Sequence, residues 1–430
     1  MASGRSGAAT GALRVLRERN FLKFWIGQTV SVFGSSVSGF ALPMTAILIL
    51  HGTAMQMGLL RALSGIPALL AALPIGVAVD RLRRRRLMIV VDLGRACLMA
   101  AIPVLLIVHR LTLGALYAVS AAVGILTIAF ATAYQSFVPQ VAERDRLVDA
   151  NASMQFSHSV AGMAGPGTAG LLIGVLAAPM TLLVDAASFV VSAASLAAVS
   201  ERVELAPRRV DSGAMADIIE AVAFLARHSV LGPLTLAGGA MGGCFSGFLT
   251  VYFLYLNRVA GLSPIVMGAI LSAGAVGATV GALVTKRLSS WLGSMVATVL
   301  TCYALFALAA WMVPLAAGPQ WLRAIWFTAA AILAFFAGYT ASVTVITLRQ
   351  TLTPERLLGR VSAATQLVDG ALTALGALAG GALGTWIGLR STLMAASACM
   401  SIVVVWLWLS RVRAASIVPV QPAQTDSVTP

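Results

Sequence analysis

Charged residues are scarce in this chain of 430 residues, because Asp, Glu, Lys and Arg together make up only 10% of it. An average soluble domain carries about 25% charged residues, so the composition excludes an ordinary soluble protein. Hydrophobic residues instead make up 59% of the chain, and its mean hydropathy is +0.93. The sequence is therefore that of a membrane protein.

Residues that bind metals or form disulfides are also few. The chain has 4 cysteines and 4 histidines, all scattered along its length. The cysteine separations are typical neither of a metal cluster nor of a disulfide framework. A membrane enzyme would need His and carboxylate residues clustered at metal or acid–base spacing, which is not found. We therefore expect no metal, no cofactor and no catalytic site.

Apolar runs long enough for a helix to cross a hydrocarbon core of about 30 Å recur along the chain. They lack the period-two alternation of a membrane β-barrel, so helices are favoured. The first run is too long for a cleavable signal peptide. We predict an all-α polytopic membrane protein with twelve spans, at about 22–50, 56–79, 87–108, 111–138, 152–176, 179–200, 232–256, 264–285, 292–315, 322–348, 360–387 and 391–410.

The basic residues fall mainly on one side of the predicted membrane. Five arginines follow the second span in the stretch GVAVDRLRRRR, residues 76–86, and the N-terminal segment and later even-numbered loops carry most of the others. Because cytoplasmic loops collect Lys and Arg, both termini are predicted to be cytoplasmic. Attraction to anionic lipid accounts for the net charge of +14. No nucleic-acid partner is expected.

The chain divides into two similar halves. We assign residues 1–20 to a cytoplasmic tail, 21–200 to an N-terminal six-helix bundle, 201–231 to a linker with an amphipathic helix, 232–411 to a C-terminal six-helix bundle and 412–430 to a disordered tail. Gln135 and Pro139 recur with the same spacing as Gln350 and Pro354, 215 residues later. Repeats of this kind are typical of transporters whose binding site lies between the halves.

Several stretches resemble one family of transporters. Gly76-x-x-x-Asp80-Arg81-x-x-Arg84-Arg85 resembles the motif after the second helix of the major facilitator superfamily. FLKFWIGQTVSVFG at 21–34, PQVAERDRLVDAN at 139–151, AGPGTAG at 164–170, LVDAASF at 183–189 and LRQTLTPERLLGRVSAA at 348–364 are similar to its bacterial efflux branch, which includes enterobactin-exporter-like and macrolide-efflux-like proteins. The resemblance covers roughly residues 20–411.

This resemblance implies a fold of two six-helix bundles and a secondary active transporter in the bacterial cytoplasmic (inner) membrane. The expected activity is proton-coupled export of hydrophobic or amphipathic small molecules, such as a drug, a secondary metabolite or a siderophore, by a monomer. The chain contains no G-x-x-x-x-G-K-[ST] nucleotide-binding motif, which points to an energy source other than ATP. Import or facilitated diffusion of a small metabolite is the alternative. A non-transporting sensor or scaffold would carry large soluble appendages, and both tails are short.

The resemblance also implies a conformational latch on the cytoplasmic side. Asp80 is expected to contact the N-terminus of the eleventh helix, where unsatisfied N–H groups and the helix dipole favour a carboxylate. The residues assigned to this latch are Gly76, Asp80, Arg81, Arg84, Arg85 and Arg360.

Ionisable residues inside the spans are candidates for proton coupling, since a charge in the bilayer is costly. Asp369 in the eleventh span is the preferred candidate. Asp92 and Arg95 are three residues apart on one helical face and can pair. His158 and Asp185 complete the set, with helix packing as the alternative role of His158 and interhelical hydrogen bonding as that of Asp185. Ser35 and Ser36 stand where related exporters often carry an acid.

The substrate cavity is expected on the helices that the resemblance places at the centre, with a mostly apolar wall suited to an amphipathic organic molecule. Arg61 either extends to the membrane surface or binds an anionic substrate. A helix bend is expected in the fifth span at Gly165, Pro166, Gly167 and Gly170. The other cavity candidates are Gln28, Tyr134, Phe248, Tyr252 and Tyr339.

Overall fold

The computed structural model describes residues 18–142, 146–200, 214–410 and 412. Within the helices it leaves undescribed the side chains of residues 68, 69, 72–74, 76–81, 148 and 214–219. All regular secondary structure in the described part of the chain is helical.

The first half of the chain forms six long helices. They are α1 (Arg19–Leu48), α2 (Ala54–Arg81), α3 (Arg84–Ile107), α4 (Leu113–Val141), α5 (Leu147–Leu176) and α6 (Ala178–Ala198). A shorter helix, α7 (Ala214–Arg227), follows.

The second half repeats the pattern. Its helices are α8 (Leu231–Leu254), α9 (Pro264–Trp291), α10 (Met295–Leu315), α11 (Gln320–Leu352), α12 (Glu355–Trp386) and α13 (Leu389–Leu409), and a π-helical turn, Tyr255–Val259, extends α8. Among fully described residues, 11 helices are long and apolar enough to span a membrane. The 28-residue α2 brings the set to the twelve predicted spans. The predicted fold class is confirmed.

One helix boundary differs from the sequence-based expectation in a way that moves a candidate residue. α12 begins at Glu355, directly after Pro354, and not near residue 360. Proline before the first turn and an acidic residue within it both favour a helix start. Asp369 therefore lies about 21 Å along α12, at 1.5 Å per residue, close to the middle of the helix rather than in its first third.

The two halves pack their helices in the same way. In the first half α1 packs on α5 and α6, α3 on α4 and α6, and α2 on α4. The second half repeats these contacts as α8 on α12 and α13, α10 on α11 and α13, and α9 on α11. The halves meet chiefly where α2 packs on α12 and α5 on α9, which are equivalent pairs under the repeat.

The outer loops show the same repeat in their backbone. Each half has three outer turns with a left-handed residue, and the pairs are His51 and Gly261, His109 and Gly318, and Ala177 and Gly388. Ala177 has φ 71° and ψ 155°, and Gly388 has φ 86° and ψ 164°. This region is essentially restricted to glycine, so Ala177 holds a strained conformation.

The linker helix α7 docks on the cytoplasmic end of α12. Ala221 and Leu225 pack in one apolar cluster with Leu357 and Val361. The helix therefore belongs physically to the second half of the molecule.

Candidate functional site

A cavity of about 260 Å³ lies between the two halves, and we call it the central cavity. Helices α1, α2 and α5 contribute to it from the first half, and α8, α9, α10 and α11 from the second. Its wall is dominated by aromatic rings, which are Phe40, Phe245, Phe248, Tyr252, Phe253, Phe306 and Phe335.

The aromatic wall is built mainly by α8. Phe245, Phe248 and Tyr252 recur at intervals of three and four residues, which places them on one face of the helix. Ring centroids of Phe248 and Tyr252 are 5.7 Å apart, and those of Phe245 and Phe248 are 6.4 Å apart. Phe40 of α1 extends the row across the boundary between the halves, 5.6 Å from Phe253. Such a wall can stack against planar rings of a ligand.

Arg61 is the one charged residue among the described residues that line the central cavity. It comes from α2, and its Nε donates a hydrogen bond to the Ser246 hydroxyl of α8 over 3.0 Å. The guanidinium thus joins the two halves while facing the cavity.

A second cavity of about 430 Å³ lies within the C-terminal half, between α8, α10, α11 and α12. We call it the inner cavity, because its lining lies nearer the cytoplasmic helix ends. It contains the preferred proton-coupling candidate Asp369 together with Arg349 and Gln366. Phe245 and Phe306 line both cavities, with their ring centroids 5.1 Å apart. The two rings therefore form a shared wall between an aromatic and a charged compartment.

A buried group of charges lies in the N-terminal half, among α1, α3 and α6. Asp92 and Arg95 form an ion pair, and Ser192 donates to the second oxygen of Asp92 over 2.6 Å. Gln28 in turn donates to the Ser192 hydroxyl over 2.9 Å. Asp185 lies on α6, close enough to Arg95 for a direct electrostatic attraction.

Two aromatic rings hold the guanidinium of this group. The Arg95 guanidinium carbon lies 4.4 Å from the centroid of the Phe130 ring and 4.3 Å from that of Phe189. Cation–π contacts of this kind are strongest when the cation is removed from water. The group is therefore fixed inside the bundle and does not line either cavity.

The halves are sealed against each other on the outer side by backbone-to-backbone contact. A Cβ added at Gly58 of α2 would lie 2.6 Å from the Ala377 carbonyl oxygen of α12. A Cβ added at Gly268 of α9 would lie 2.4 Å from the Pro166 carbonyl oxygen of α5. Arg258 adds a hydrogen bond to the Gly52 carbonyl over 2.9 Å. We call these contacts the outer seal.

Sequence comparison identifies the family to which this architecture belongs. A profile of the Major Facilitator Superfamily matches residues 24–377. The chain belongs to the Major Facilitator Superfamily. It is 29% identical over 378 residues to the multidrug efflux pump Tap of Mycolicibacterium fortuitum, covering 84% of this chain and 89% of that one.

Solved structures of transporters share this fold. The nucleoside transporter NupG is 11% identical and has a TM-score of 0.72, over 91% of this chain and 98% of that one. A bacterial homologue of the iron transporter ferroportin is 16% identical, with a TM-score of 0.71 in its inward-facing state, over 90% of this chain and 98% of that one. Its outward-facing state gives 0.59. The outer seal closes the outer side between the halves, as an inward-facing arrangement requires.

Membership of the superfamily confirms the predicted family, the transport function and the multi-pass membrane location. The chain is a membrane transporter of a family that is not enzymatic. Superfamily transporters of this architecture bind their substrates between the halves, where the central cavity lies.

The predicted cavity residues lie in several different parts of the structure. Arg61, Phe248 and Tyr252 line the central cavity. Gln28 is buried against α6, and Tyr134 packs between Phe24 and Phe130 near the cytoplasmic ends. Tyr339 is half exposed on α11 and is not among the described lining residues of either cavity.

The predicted proton-coupling residues are likewise separated. Asp369 faces the inner cavity, whereas Asp92, Arg95 and Asp185 lie together in the buried group. His158 is exposed on α5, one turn to the cytoplasmic side of Gly162, which lines the central cavity. No group of three or more metal-binding side chains occurs among the described residues.

Two of the predicted latch residues, Arg85 and Arg360, each have a described partner within their own half. Arg85 Nε donates to the Leu196 carbonyl at the end of α6 over 2.8 Å. Arg360 donates to Glu220 of α7 over 2.5 Å. Arg84 begins α3. The side chains of Gly76, Asp80 and Arg81 lie outside the described residues.

The predicted bend residues lie at the contact between the halves. α5 continues through Pro166, and Gly165 packs against Ser36 of α1. A Cβ on Gly170 would lie 2.6 Å from the Pro264 carbonyl oxygen of α9. These small residues let α5 contact α1 and α9 closely.

Sequence reasoning missed most of the aromatic wall. Phe40, Phe245, Phe253, Phe306 and Phe335 were not among the predicted cavity residues, although Phe245 and Phe253 lie in the same aromatic run of α8 as Phe248 and Tyr252. Arg349 was also missed, because it lies close to the predicted cytoplasmic end of its span and was counted as a topology marker.

Proposed function

We propose that the protein exports aromatic, amphipathic small molecules from the cytoplasm in exchange for protons, by alternating access between its halves. The aromatic central cavity carries this proposal. Stacked rings favour planar apolar groups, and a polar group on the ligand can bond to Arg61 or Ser36. The likeness to the efflux pump Tap supports the outward direction.

The substrate enters from the cytoplasmic side in the inward-facing arrangement. The inner cavity would receive it first, since its lining lies nearer that side. Rotation of the Phe245 and Phe306 rings would then admit it to the central cavity. Breaking the outer seal and closing the cytoplasmic side would release it outside. Asp80 and the other predicted latch residues would close that side.

Proton exchange requires a carboxylate that the aqueous pathway reaches. Asp369 meets this requirement because it lines the inner cavity opposite Arg349. Protonation of Asp369 would free Arg349 from its attraction, and deprotonation would restore it. A change of one charge in a confined cavity shifts the balance between two conformations.

The proposal is tested with inverted membrane vesicles that are acidic inside and contain the overexpressed protein. An aromatic dye is added outside, and its uptake and the release of protons are followed together. Wild type is compared with Phe248→Ala, Asp369→Asn and the control Phe156→Ala, which removes an exposed ring that lines neither cavity.

We expect wild type and Phe156→Ala to accumulate the dye and release protons when it is added. Phe248→Ala should weaken the apparent affinity several-fold, since one ring pair contributes about 0.5–1.5 kcal/mol. Asp369→Asn should abolish the proton signal. Dye accumulation without proton release would contradict antiport. If preloaded dye only leaves the vesicles down its own concentration gradient, the result would indicate facilitated diffusion.

A further inference from the structure

The buried group in the N-terminal half has an unequal number of charges. Asp92, Arg95 and Asp185 are 0%, 5% and 1% exposed, so water does not screen them. Two carboxylates and one guanidinium carry a net charge of −1 when all are ionised. A buried unpaired charge is strongly disfavoured, and such a group neutralises by binding a proton. One proton makes this group neutral.

Hydrogen bonds distinguish the two carboxyl groups. Asp92 accepts from the Arg95 guanidinium and, at 2.6 Å, from the Ser192 hydroxyl, so both of its oxygens have strong donors. Asp185 Oδ1 lies 3.3 Å from Ser35 Oγ and 3.2 Å from Ser188 Oγ. The Ser188 hydroxyl has a shorter alternative, its 2.8 Å bond to the Asp185 carbonyl. Asp92 is therefore held as a carboxylate more firmly than Asp185 is.

A further hydroxyl beside Asp185 lacks a partner. Ser38 of α1 is 5% exposed, and its Oγ makes no hydrogen bond although it faces the Asp185 carboxyl. A hydroxyl can donate to an ionised carboxyl group or accept from a protonated one, so Ser38 can follow either protonation state of Asp185.

The second half shows that the fold does not require these charges. Counted from the helix starts, Asp92, Arg95 and Asp185 correspond to Tyr303, Phe306 and Ala396 of α10 and α13. Those helices pack in the same way as α3 and α6. The charged group thus occurs in one half only. Ionisable residues inside a membrane-spanning segment are costly and mark functional sites.

We propose that Asp92, Arg95 and Asp185 form a one-proton site inside the N-terminal half, with the proton on Asp185 in the inward-facing state. The proposal rests on proton-driven export and adds a second carboxyl group to Asp369. The proton leaves Asp185 for water that reaches it from the central cavity, and returns to the same oxygen. Only α1 separates Asp185 from the central cavity, because Ser35 contacts Asp185 and the adjacent Ser36 lines that cavity.

No other charge faces Asp185 among the described residues. The helices that pack against α6 are α1, α3 and α5. From α1 it meets hydroxyls alone, and the charged residue of α3 that acts on it is Arg95. The ionisable residues described on α5, Asp149 and His158, make no contact with it. Burial, the neighbouring hydroxyls and Arg95 therefore set its proton affinity.

The test is infrared spectroscopy of the purified protein in lipid nanodiscs, recorded at a series of pH values. It detects the C=O stretch of a protonated carboxyl group and needs no transport. Wild type is compared with Asp185→Asn, Asp92→Asn and Asp369→Asn. Asp149→Asn is the matched control, since it changes an aspartate outside the buried group. Retained secondary structure in the same spectra shows that each variant folds.

We expect a protonated-carboxyl band at neutral pH that persists in Asp149→Asn and Asp369→Asn and is lost in Asp185→Asn. Loss of the band in Asp92→Asn with retention in Asp185→Asn would overturn the assignment. A wild type with no such band, or a band that disappears only in Asp369→Asn, would overturn the site itself. If the band behaves as expected but vesicles move no dye, the export proposal fails and the proton site stands.

Discussion

The backbone N–H of Gly167 donates a hydrogen bond to the Ser272 hydroxyl, 2.9 Å away, across the boundary between the halves. Gly167 follows Pro166 in α5, and Ser272 lies on α9. The bond belongs to the same α5 and α9 contact as the outer seal. We expect it to break when the outer side opens, because the proposed alternating access would separate these two helices.

Ser272→Ala should therefore shift the protein toward its outward-facing state. Loss of a hydrogen bond of about 1 kcal/mol corresponds to a several-fold change in a two-state ratio. Distance measurements between spin labels on the outer ends of α5 and α9 would detect a larger separated population. Ser290→Ala on the same helix is the control, since the hydrogen bond of Ser290 to the Arg287 carbonyl lies within α9. An unchanged distance distribution in Ser272→Ala would contradict the role of this bond.

Ala177→Gly should stabilise the protein. Ala177 joins α5 to α6 in a backbone region that glycine occupies without strain, and the equivalent turn of the second half uses Gly388. Relief of such strain is worth on the order of 1 kcal/mol. The midpoint of thermal unfolding in detergent should rise. The reverse change, Gly388→Ala, should lower it, and a rise in both variants would refute the strain.

Some features of this structure could be predicted from the sequence, and others could not. All twelve spans were predicted to within several residues, because long apolar runs are required by the membrane thickness. The Asp92 and Arg95 contact follows from their spacing along one helix. These features depend on local sequence alone.

The site was harder to predict because lipid-facing and cavity-facing surfaces are both apolar. Hydrophobic periodicity therefore does not report how a membrane helix is rotated. Gln28 was expected in the cavity, but its helix turns it toward Ser192. The inner cavity also depends on how α11 and α12 are placed, because Arg349 and Asp369 line it from these two helices. Only the packed structure supplies that information.

His228 makes the junction between the linker helix and α8 sensitive to acid. Its Nδ1 accepts hydrogen bonds from the N–H groups of Val230 and Leu231, at 3.2 and 3.1 Å, at the start of α8. Partial burial lowers the pKa of His228 below its usual value. Protonation would remove the acceptor and place a positive charge at a helix N-terminus, where it is unfavourable.

Because the unfolded chain binds this proton more readily, the stabilising contribution of His228 is complete above the ordinary histidine pKa of about 6.5 and is lost as the pH falls below it. A helix cap contributes about 0.5–2 kcal/mol. The unfolding midpoint of wild type should therefore fall between about pH 6.5 and about pH 5. In His228→Asn, which keeps an acceptor but does not titrate, that decline should be smaller. Equal declines would exclude His228 as the cause.

Arg61 should determine which substrate charges the central cavity accepts. Its guanidinium is the one charge among the described lining residues, so it attracts anions and repels cations in a confined apolar space. Arg61→Met keeps an apolar side chain of similar length. We expect transport of an anionic aromatic dye to fall about ten-fold or more, and transport of a cationic one to rise.

Ser246→Ala separates the charge from the hydrogen bond. It removes the 3.0 Å contact between the halves but leaves the guanidinium in the cavity. If Arg61 acts through its charge, Ser246→Ala will retain the wild-type preference between the two dyes, measured as the ratio of their initial uptake rates into inverted vesicles. If Ser246→Ala changes that ratio as much as Arg61→Met does, the preference depends on the position of the helices and not on the charge.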